Sequence, residues 1–285
     1  MIKTEKHRSL SAAQSKHPSA EQARDCANEH ENTSTGGHSL SVVLPAYNEE
    51  QVIASTVSNV LEVLSLWRMD GEVLVIDDGS TDRTGAIVAA LAMAHPQVRV
   101  ITHRTNQGYG AALANGFAQA SKELTLFMDA DGQFDLRDLQ HCLPFIDDYD
   151  AVIGYRLSRQ DSWLRKLNAW GWRRLIGWVL HVHVRDLDCA FKLLHTQFLH
   201  QHPLQTRGAM INAELLYKLR RAGCSYREIG IHHYPRKGGR ATGARLSVIV
   251  RALRELSVAA RTWHHEDREG RIPGRERGHL LRKGV

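Results

Sequence analysis

The chain of 285 residues has no run approaching the roughly 18 consecutive apolar residues of a membrane-spanning helix. Met1 to His38 carries no apolar segment of the kind a secretory leader needs, so this stretch is expected to be a polar, disordered tail. Cysteine is scarce: Cys26, Cys142, Cys189 and Cys224 are scattered without a CxxC pair. That excludes a disulfide framework and a zinc knuckle, and it points to a reducing compartment. The 17 histidines have no cysteine or carboxylate partner at zinc-ligand spacing, so no His-based metal site is expected. Glycine-rich phosphate loops are missing as well. There is no GxxxxGKS and no GxGxxG after the first strand, and Gly108-Tyr109-Gly110 lacks the third glycine. No internal repeat occurs.

The net charge of +6 indicates anionic partners: nucleotides, phospholipid surfaces or nucleic acid. No recognisable nucleic-acid module accompanies it, so nucleic acid is not expected among the partners. The length suits one large α/β domain or two small ones.

Hydrophobic periodicity predicts strands at Leu40 to Leu44, stopped by Pro45, and at Glu72 to Ile76, Val98 to Ile101, Leu124 to Met128, Ala151 to Gly154, Phe191 to Leu194 and Tyr226 to His233. Helices are predicted over Glu49 to Trp67, Arg83 to Ala94, Gly108 to Ala120, Leu136 to Phe145 and Asn212 to Ala222. Strands alternating with helices imply a mostly parallel sheet, whose ligands bind beyond the carboxyl ends of the strands. Pro45 to Glu49, Asp77-Asp78 and Asp129 to Gln133 all fall at such exits. The stretch from Trp163 to Leu180 mixes Trp163, Trp170, Trp172 and Trp178 with Arg165, Lys166, Arg173 and Arg174. It reads either as a helix at a membrane interface or as a packed helix with a solvated basic face. Leu246 to Trp263 reads as a basic amphipathic helix followed by a polar tail. The expected organisation is therefore a tail over 1–38, a domain over 39–245, and the helix and tail over 246–285.

Asp129 and Asp131 close an apolar run, and the Gln133 amide follows. On an extended backbone all three would point one way. Such oxygen donors suit a hard cation, Mg²⁺ or Mn²⁺, that already carries phosphate ligands. The competing reading is an Asp- and Gly-rich turn.

With Pro45-Ala46-Tyr47-Asn48-Glu49-Glu50, Ile76-Asp77-Asp78-Gly79-Ser80-Thr81-Asp82 and Asp129-Ala130-Asp131 in one chain, the sequence resembles the family 2 inverting glycosyltransferases from about Ser39 to Thr242. Within them it is most similar to the dolichol-phosphate (polyprenyl-phosphate) mannose synthase group. The resemblance implies a GT-A fold, a nucleotide-sugar donor (a GDP- or UDP-hexose) and a divalent metal. It implies that Pro45, Tyr47 and Glu49 line the nucleoside pocket and that Ile76 and Asp78 contact the base or ribose. Asp129, Ala130, Asp131 and Gln133 would surround metal and diphosphate. Arg156 and Arg165 would meet an acceptor phosphate, and Arg236 would belong to a basic loop over the donor diphosphate. Asp186, Phe191 and Lys192 match a further motif, in which an aspartate precedes a Gly-Phe-Arg/Lys run. The chain departs from the pattern at Ala169, Cys189-Ala190, Ala241 and Thr242, which bears on the acceptor side.

A polyprenyl phosphate is already anionic and needs no general base, whereas a sugar hydroxyl does. The favoured expectation is an inverting hexose transfer, with Asp131, Arg156 and Arg236 central, to polyprenyl phosphate at the cytoplasmic face of a membrane. An oligomeric or membrane-protein partner is compatible with it. Transfer to a soluble sugar or natural product, and a silent nucleotide- or lipid-phosphate-binding protein, are the alternatives. The residue-level alternatives are a turn cap for Asp77, a solvated charge or an arginine partner for Glu214, core for Tyr47 and a surface ion pair for Arg156.

Overall fold

The computed structural model describes residues 37–157, 163–236, 255, 256 and 263, with residues 163–169, 172 and 173 through their backbone only. The expected tail (up to residue 36), the basic loop beyond Arg236 and nearly all of the expected C-terminal helix lie outside the described residues.

Seven strands form one sheet in the order β3-β2-β1-β4-β6-β5-β7. They are β1 (Leu40–Ala46), β2 (Gly71–Asp77), β3 (Val98–Thr102), β4 (Leu124–Phe127), β5 (Ala151–Arg156), β6 (Lys192–His195) and β7 (Tyr226–Ile231). The helices are α1 (Ile53–Leu66), α2 (Thr84–Ala94), α3 (Tyr109–Gln119), α4 (Leu143–Ile146), α5 (Trp163–Leu180), α6 (Thr196–Gln201) and α7 (Ile211–Arg221). β1 pairs in parallel with β2 and β4, β2 with β3, and β5 with β7. β6 alone runs antiparallel to both its neighbours. Its first residue, Lys192, lies opposite Phe127, the last of β4, so the preceding segment delivers β6 at the edge where β4 ends.

The central strands are apolar on both faces. Val42, Val43, Leu44, Val73, Leu74, Val75, Leu124 and Leu126 are all fully buried, as a helix-covered parallel sheet requires. α1 presents Ile53, Val57, Val60 and Leu64 to this core at helical spacing. α3 approaches the sheet closely at Gly116, where a Cβ would stand 2.4 Å from Val43 Cγ1.

Pro45 does not stop β1. Ala46 O accepts from Asp78 N on the β2 side, while Val43 O accepts from Met128 N on the β4 side. Strand alternation turns the Pro45 nitrogen to the β4 side, beyond the end of that strand, so no ladder bond is lost. β1 and β4 part there. β1 has β2 on one side and β4 on the other, which makes this gap the switch point where open α/β sheets bind ligands.

The predicted helix over Leu136 to Phe145 divides into a 3₁₀ turn (Leu136–His141) and α4, because Pro144 has no N–H for a continuous ladder. α6 has no counterpart among the predicted elements; its six residues are too few for a helical period to register.

Candidate active site

The β1–α1 and β2–α2 loops are tied to one another. Asn48, at φ 55°, donates its N–H to Ser80 Oγ (3.0 Å) and accepts from Thr81 N (2.8 Å). Glu49 N donates to Thr84 Oγ1 (2.8 Å), Glu50 N to Asp82 Oδ2 (3.2 Å), and Arg83 N to Glu50 Oε2 (3.1 Å). Asp77 caps its turn by accepting from Ser80 N at 3.0 Å. These ties hold the Glu49 backbone at the carboxyl end of β1.

The Asp129-to-Gln133 segment is a turn rather than an extended strand. Gly132 has φ +74°, and Asp131 Oδ1 accepts from Gln133 N at 3.0 Å, an Asx turn. Strand alternation therefore does not align Asp129, Asp131 and Gln133. Gln133 exchanges two hydrogen bonds with Tyr234: its Nε2 donates to Tyr234 O, and Tyr234 N donates to its carbonyl, each at 2.9 Å. That stitch brings in Arg236, whose Nη2 lies 2.9 Å from Glu49 Oε1 and 3.1 Å from Asp131 Oδ2. The Gln133 amide nitrogen is thus engaged, leaving its oxygen as the end able to meet a cation.

Carboxylates gathered in a buried place resist ionisation. Burial raises Glu49 to about 6; Arg236 lowers it again, while Asp131 and Asp82 raise it. Burial and then the Asp131 charge raise Asp129 to about 7, against a hydrogen bond from the Tyr109 hydroxyl and the charges of Arg156 and Lys192. The residue keeps a partial opening to the cleft although its carboxyl is deeply surrounded. Glu49 Oε2 and Arg236 Nε are buried without a hydrogen-bond partner among the described residues. The orphaned Glu49 oxygen among crowded carboxylates fits a cation, and the orphaned Arg236 N–H beside it fits an anion such as a phosphate. Among the described residues no three His, Cys, Asp or Glu side chains form a ready metal cage. The donor set therefore suits an ion that completes its shell with phosphate oxygens and water.

Across the cleft, Arg156 ends β5. Its Nε and Nη2 donate to Asp186 Oδ2 (2.6 Å) and Oδ1 (2.9 Å), a two-pronged pair with the arginine side chain only 16% exposed. This is a buried pair, not a surface one. Burial opposes the charge of Arg156, but the Asp186 hydrogen bonds and charge outweigh it and raise its pKa above the usual arginine range. Arg165 lies in α5, with its side chain outside the described residues.

Other expected contacts are placed differently. Ile76 is fully buried under Gly116 of α3, so its side chain is core. Asp78 is turned inward: Oδ1 accepts from His103 Nδ1 (2.7 Å) and Gln107 N (2.8 Å), and Oδ2 from Gly108 N (2.8 Å). Asn115 Nδ2 faces His103 Nε2 at 3.0 Å, which assigns the imidazole proton to Nδ1. Asp78 thereby holds the β3–α3 loop. Ala130 is buried and its carbonyl accepts from Thr56 Oγ1 at 3.1 Å. Tyr47 is 41% exposed at the rim and is not core, and Pro45 is partly exposed beside it. Glu214 is not solvated, and among the described residues it is not an arginine partner; it accepts from Gln205 N and Thr206 N and pairs with Lys218 Nζ at 2.8 Å.

Tyr109, which the motif reading passes over, hydrogen-bonds Asp129. Its signal in the sequence is the aromatic between Gly108 and Gly110. Gly108 has φ +105°, and a Cβ on Gly110 would stand 2.3 Å from Thr206 O. Gly110 N donates to Arg207 O at 2.9 Å, which anchors the start of α3.

The sequence profile of glycosyl transferase family 2 matches residues 41–218. The dodecaprenyl-phosphate galacturonate synthase of Rhizobium johnstonii is 30% identical over 168 residues, covering 57% of this chain and 49% of that protein. A dolichyl-phosphate beta-glucosyltransferase (ALG5A) of Trichomonas vaginalis is 29% identical over 212 residues, covering 67% and 64%. The chain thus spans between about half and just under two thirds of the length of these curated relatives. The crystal structure of glucosyl-3-phosphoglycerate synthase from Mycobacterium tuberculosis, in complex with Mn²⁺, UDP-glucose and phosphoglyceric acid, superposes with a TM-score of 0.61 at 21% identity, covering 87% of this chain and 85% of that one. The fold expected from the motifs, GT-A, is the one found. With the profile spanning more than half of the chain and its motifs at the strand exits that form the cleft, the chain belongs to glycosyl transferase family 2.

Proposed function

We propose that the chain is a metal-dependent inverting glycosyltransferase that moves a hexose, mannose or glucose, from a GDP- or UDP-sugar to a polyprenyl phosphate. The observation that carries this reading is the placement of two unlike sites at one sheet edge. Asp129, Asp131, Glu49 and Arg236 form a charged centre for a diphosphate with its cation, and Arg156 stands opposite, pre-aimed by Asp186. The names of the curated relatives, polyprenyl-phosphate sugar transferases, support the same acceptor class.

Asp129, Asp131 and the Gln133 oxygen are the groups that would hold Mg²⁺ or Mn²⁺. The bound ion would supply electrostatic neutralisation of the departing diphosphate. Arg236 adds a fixed positive charge on the same oxygens, where a buried charge acts strongly. The rim residues Pro45 and Tyr47 would border the nucleoside. Arg156 would orient the acceptor phosphate by paired hydrogen bonds. The phosphate oxygen is already ionised, so no side chain has to take a proton at the attacking atom.

The exposed side of α5 supports peripheral docking on a membrane. Trp170 and Trp178 are 51% and 78% exposed, and the Arg174 guanidinium sits 5.5 Å from the Trp170 ring centre. Aromatic rings beside a cation suit the headgroup layer of an anionic leaflet, which supports the reading of a cytoplasmic face. No helix among the described residues is long and apolar enough to cross a membrane. Trp178→Ser should weaken co-flotation with anionic vesicles.

The deciding experiment first screens GDP-mannose, UDP-glucose and UDP-GlcNAc with Mn²⁺ for thermal stabilisation. Radiolabelled donor is then supplied with polyprenyl phosphate, and label is followed into organic solvent with its anomeric configuration read by NMR. Label confined to water-soluble product would shift the acceptor to a soluble phosphate or sugar. Binding without turnover would favour a silent binding protein.

A further inference from the structure

Lys192, the first residue of β6, is fully buried. Its Nζ lies 3.2 Å from Leu187 O and 3.0 Å from Asn212 Oδ1, and it also donates to Cys189 O, with the centre of the Phe127 ring 5.2 Å away. An ammonium has three N–H donors and a neutral amine has two. Three oxygen acceptors therefore match the charged form. Burial lowers the pKa of this amine, and the charges of Asp186, Asp188 and Asp129 oppose that effect. None of its three hydrogen-bond partners is a carboxylate. A buried cation held only by neutral oxygens is costly. Apolar packing alone does not explain this lysine.

Its position does. Lys192 is in register with Phe127, which precedes Asp129 by two residues, and with Ile153, which precedes Arg156 by three. It thus stands behind the strand exits that carry the two halves of the cleft. Its bonds to Leu187 and Cys189 close the loop that bears Asp186, and its bond to Asn212 ties that loop to α7. Asp186 in turn holds both prongs of Arg156.

We propose that Lys192 is a positioning residue for the acceptor phosphate: its three-way tie fixes the 186–190 loop so that Asp186 presents Arg156, and its charge favours an anion on that side. This inference rests on the reading of Arg156 as the phosphate-orienting residue.

The test uses farnesyl phosphate, a short lipid phosphate, titrated into the full chain in the presence of Mn²⁺ and nucleoside diphosphate. Lys192→Met should weaken farnesyl phosphate roughly 10- to 100-fold, the scale of a small misplacement of a binding group. Its melting temperature should fall, because three buried oxygens lose their donor, while nucleoside-diphosphate affinity should be unchanged. Lys192→Arg should recover most of the binding. Asn212→Ala, which removes one acceptor and leaves the lysine in place, should act in the same direction but more weakly. Wild-type affinity for farnesyl phosphate in both Lys192→Met and Asn212→Ala would overturn the proposal. So would a parallel loss of melting temperature and nucleotide affinity, which would make Lys192 a core residue only. If the wild-type chain does not bind farnesyl phosphate at all, the acceptor reading itself fails, and this inference with it.

Discussion

Arg236 Nη2 lies 3.1 Å from Asp131 Oδ2, so a side chain from beyond β7 neutralises one of the carboxylates assigned to the cation. The same nitrogen reaches Glu49 at 2.9 Å. Arg236 therefore serves two anions of the protein through one nitrogen, and its Nε has no hydrogen-bond partner among the described residues.

Opposite effects on binding and turnover follow for Arg236→Gln. Removing the guanidinium frees Asp131, so Mn²⁺ without nucleotide should bind more tightly. Transfer should fall about 10²- to 10³-fold, the scale for losing one charge-stabilising donor. Calorimetry with Mn²⁺ alone and a transfer assay check the two halves; weaker Mn²⁺ binding would contradict the first.

Asp129→Asn should raise stability while abolishing function. Burial and the Asp131 charge make the Asp129 carboxylate unfavourable in the ligand-free protein. An amide of the same shape relieves both. The melting temperature without metal should rise, and the additional stabilisation by Mn²⁺ with nucleotide should vanish. A fall in the metal-free melting temperature would show that the carboxylate is structural.

Gly116→Ala tests how α3 sits on the sheet. The new Cβ would lie 2.4 Å from Val43 Cγ1 and 3.3 Å from Ile76 Cγ1. Overpacking of this kind costs about 1–3 kcal/mol. For a domain of this size each kcal/mol lowers the melting temperature by roughly 2–4 °C. Calorimetric melting measures it directly.

Acid stability should depend on Glu72. Burial alone would raise its pKa, but hydrogen bonds from Ser41, Arg99 and Ser121 outweigh that and hold it below its ordinary value. A carboxylate depressed in the folded state stabilises above its unfolded pKa, and that stability is lost as pH falls through the folded value. Glu72→Gln should therefore lose stability at neutral pH, where the charged contacts act, and show a flatter decline below about pH 4.5. Urea midpoints at neutral and acid pH give the comparison.

Much of the fold was legible because its signals are local. All seven strand positions follow from short runs of apolar or alternating residues, and α1, α2, α3 and α7 from the hydrophobic pattern along the chain. The failures arose where a neighbour decided the outcome. Pro45 continues β1 because β4 has already ended on the side its nitrogen faces. Asp78, taken for a ligand contact, also accepts from His103 and two backbone amides of the following loop. Ile76 stands in the motif yet packs under Gly116.

Composition and order along the chain determined the alternating α/β architecture, the acidic residues at strand exits and the family. These are properties of periodicity and spacing, which survive without coordinates. Only the tertiary structure decided how the charges pair. Arg236 lies 187 residues from Glu49 in the chain, yet one nitrogen holds both Glu49 and Asp131. Lys192 reaches Asn212 from 20 residues away. A side chain's partner at such separations is set by sheet order and loop packing, and neither is written in the local pattern of residues.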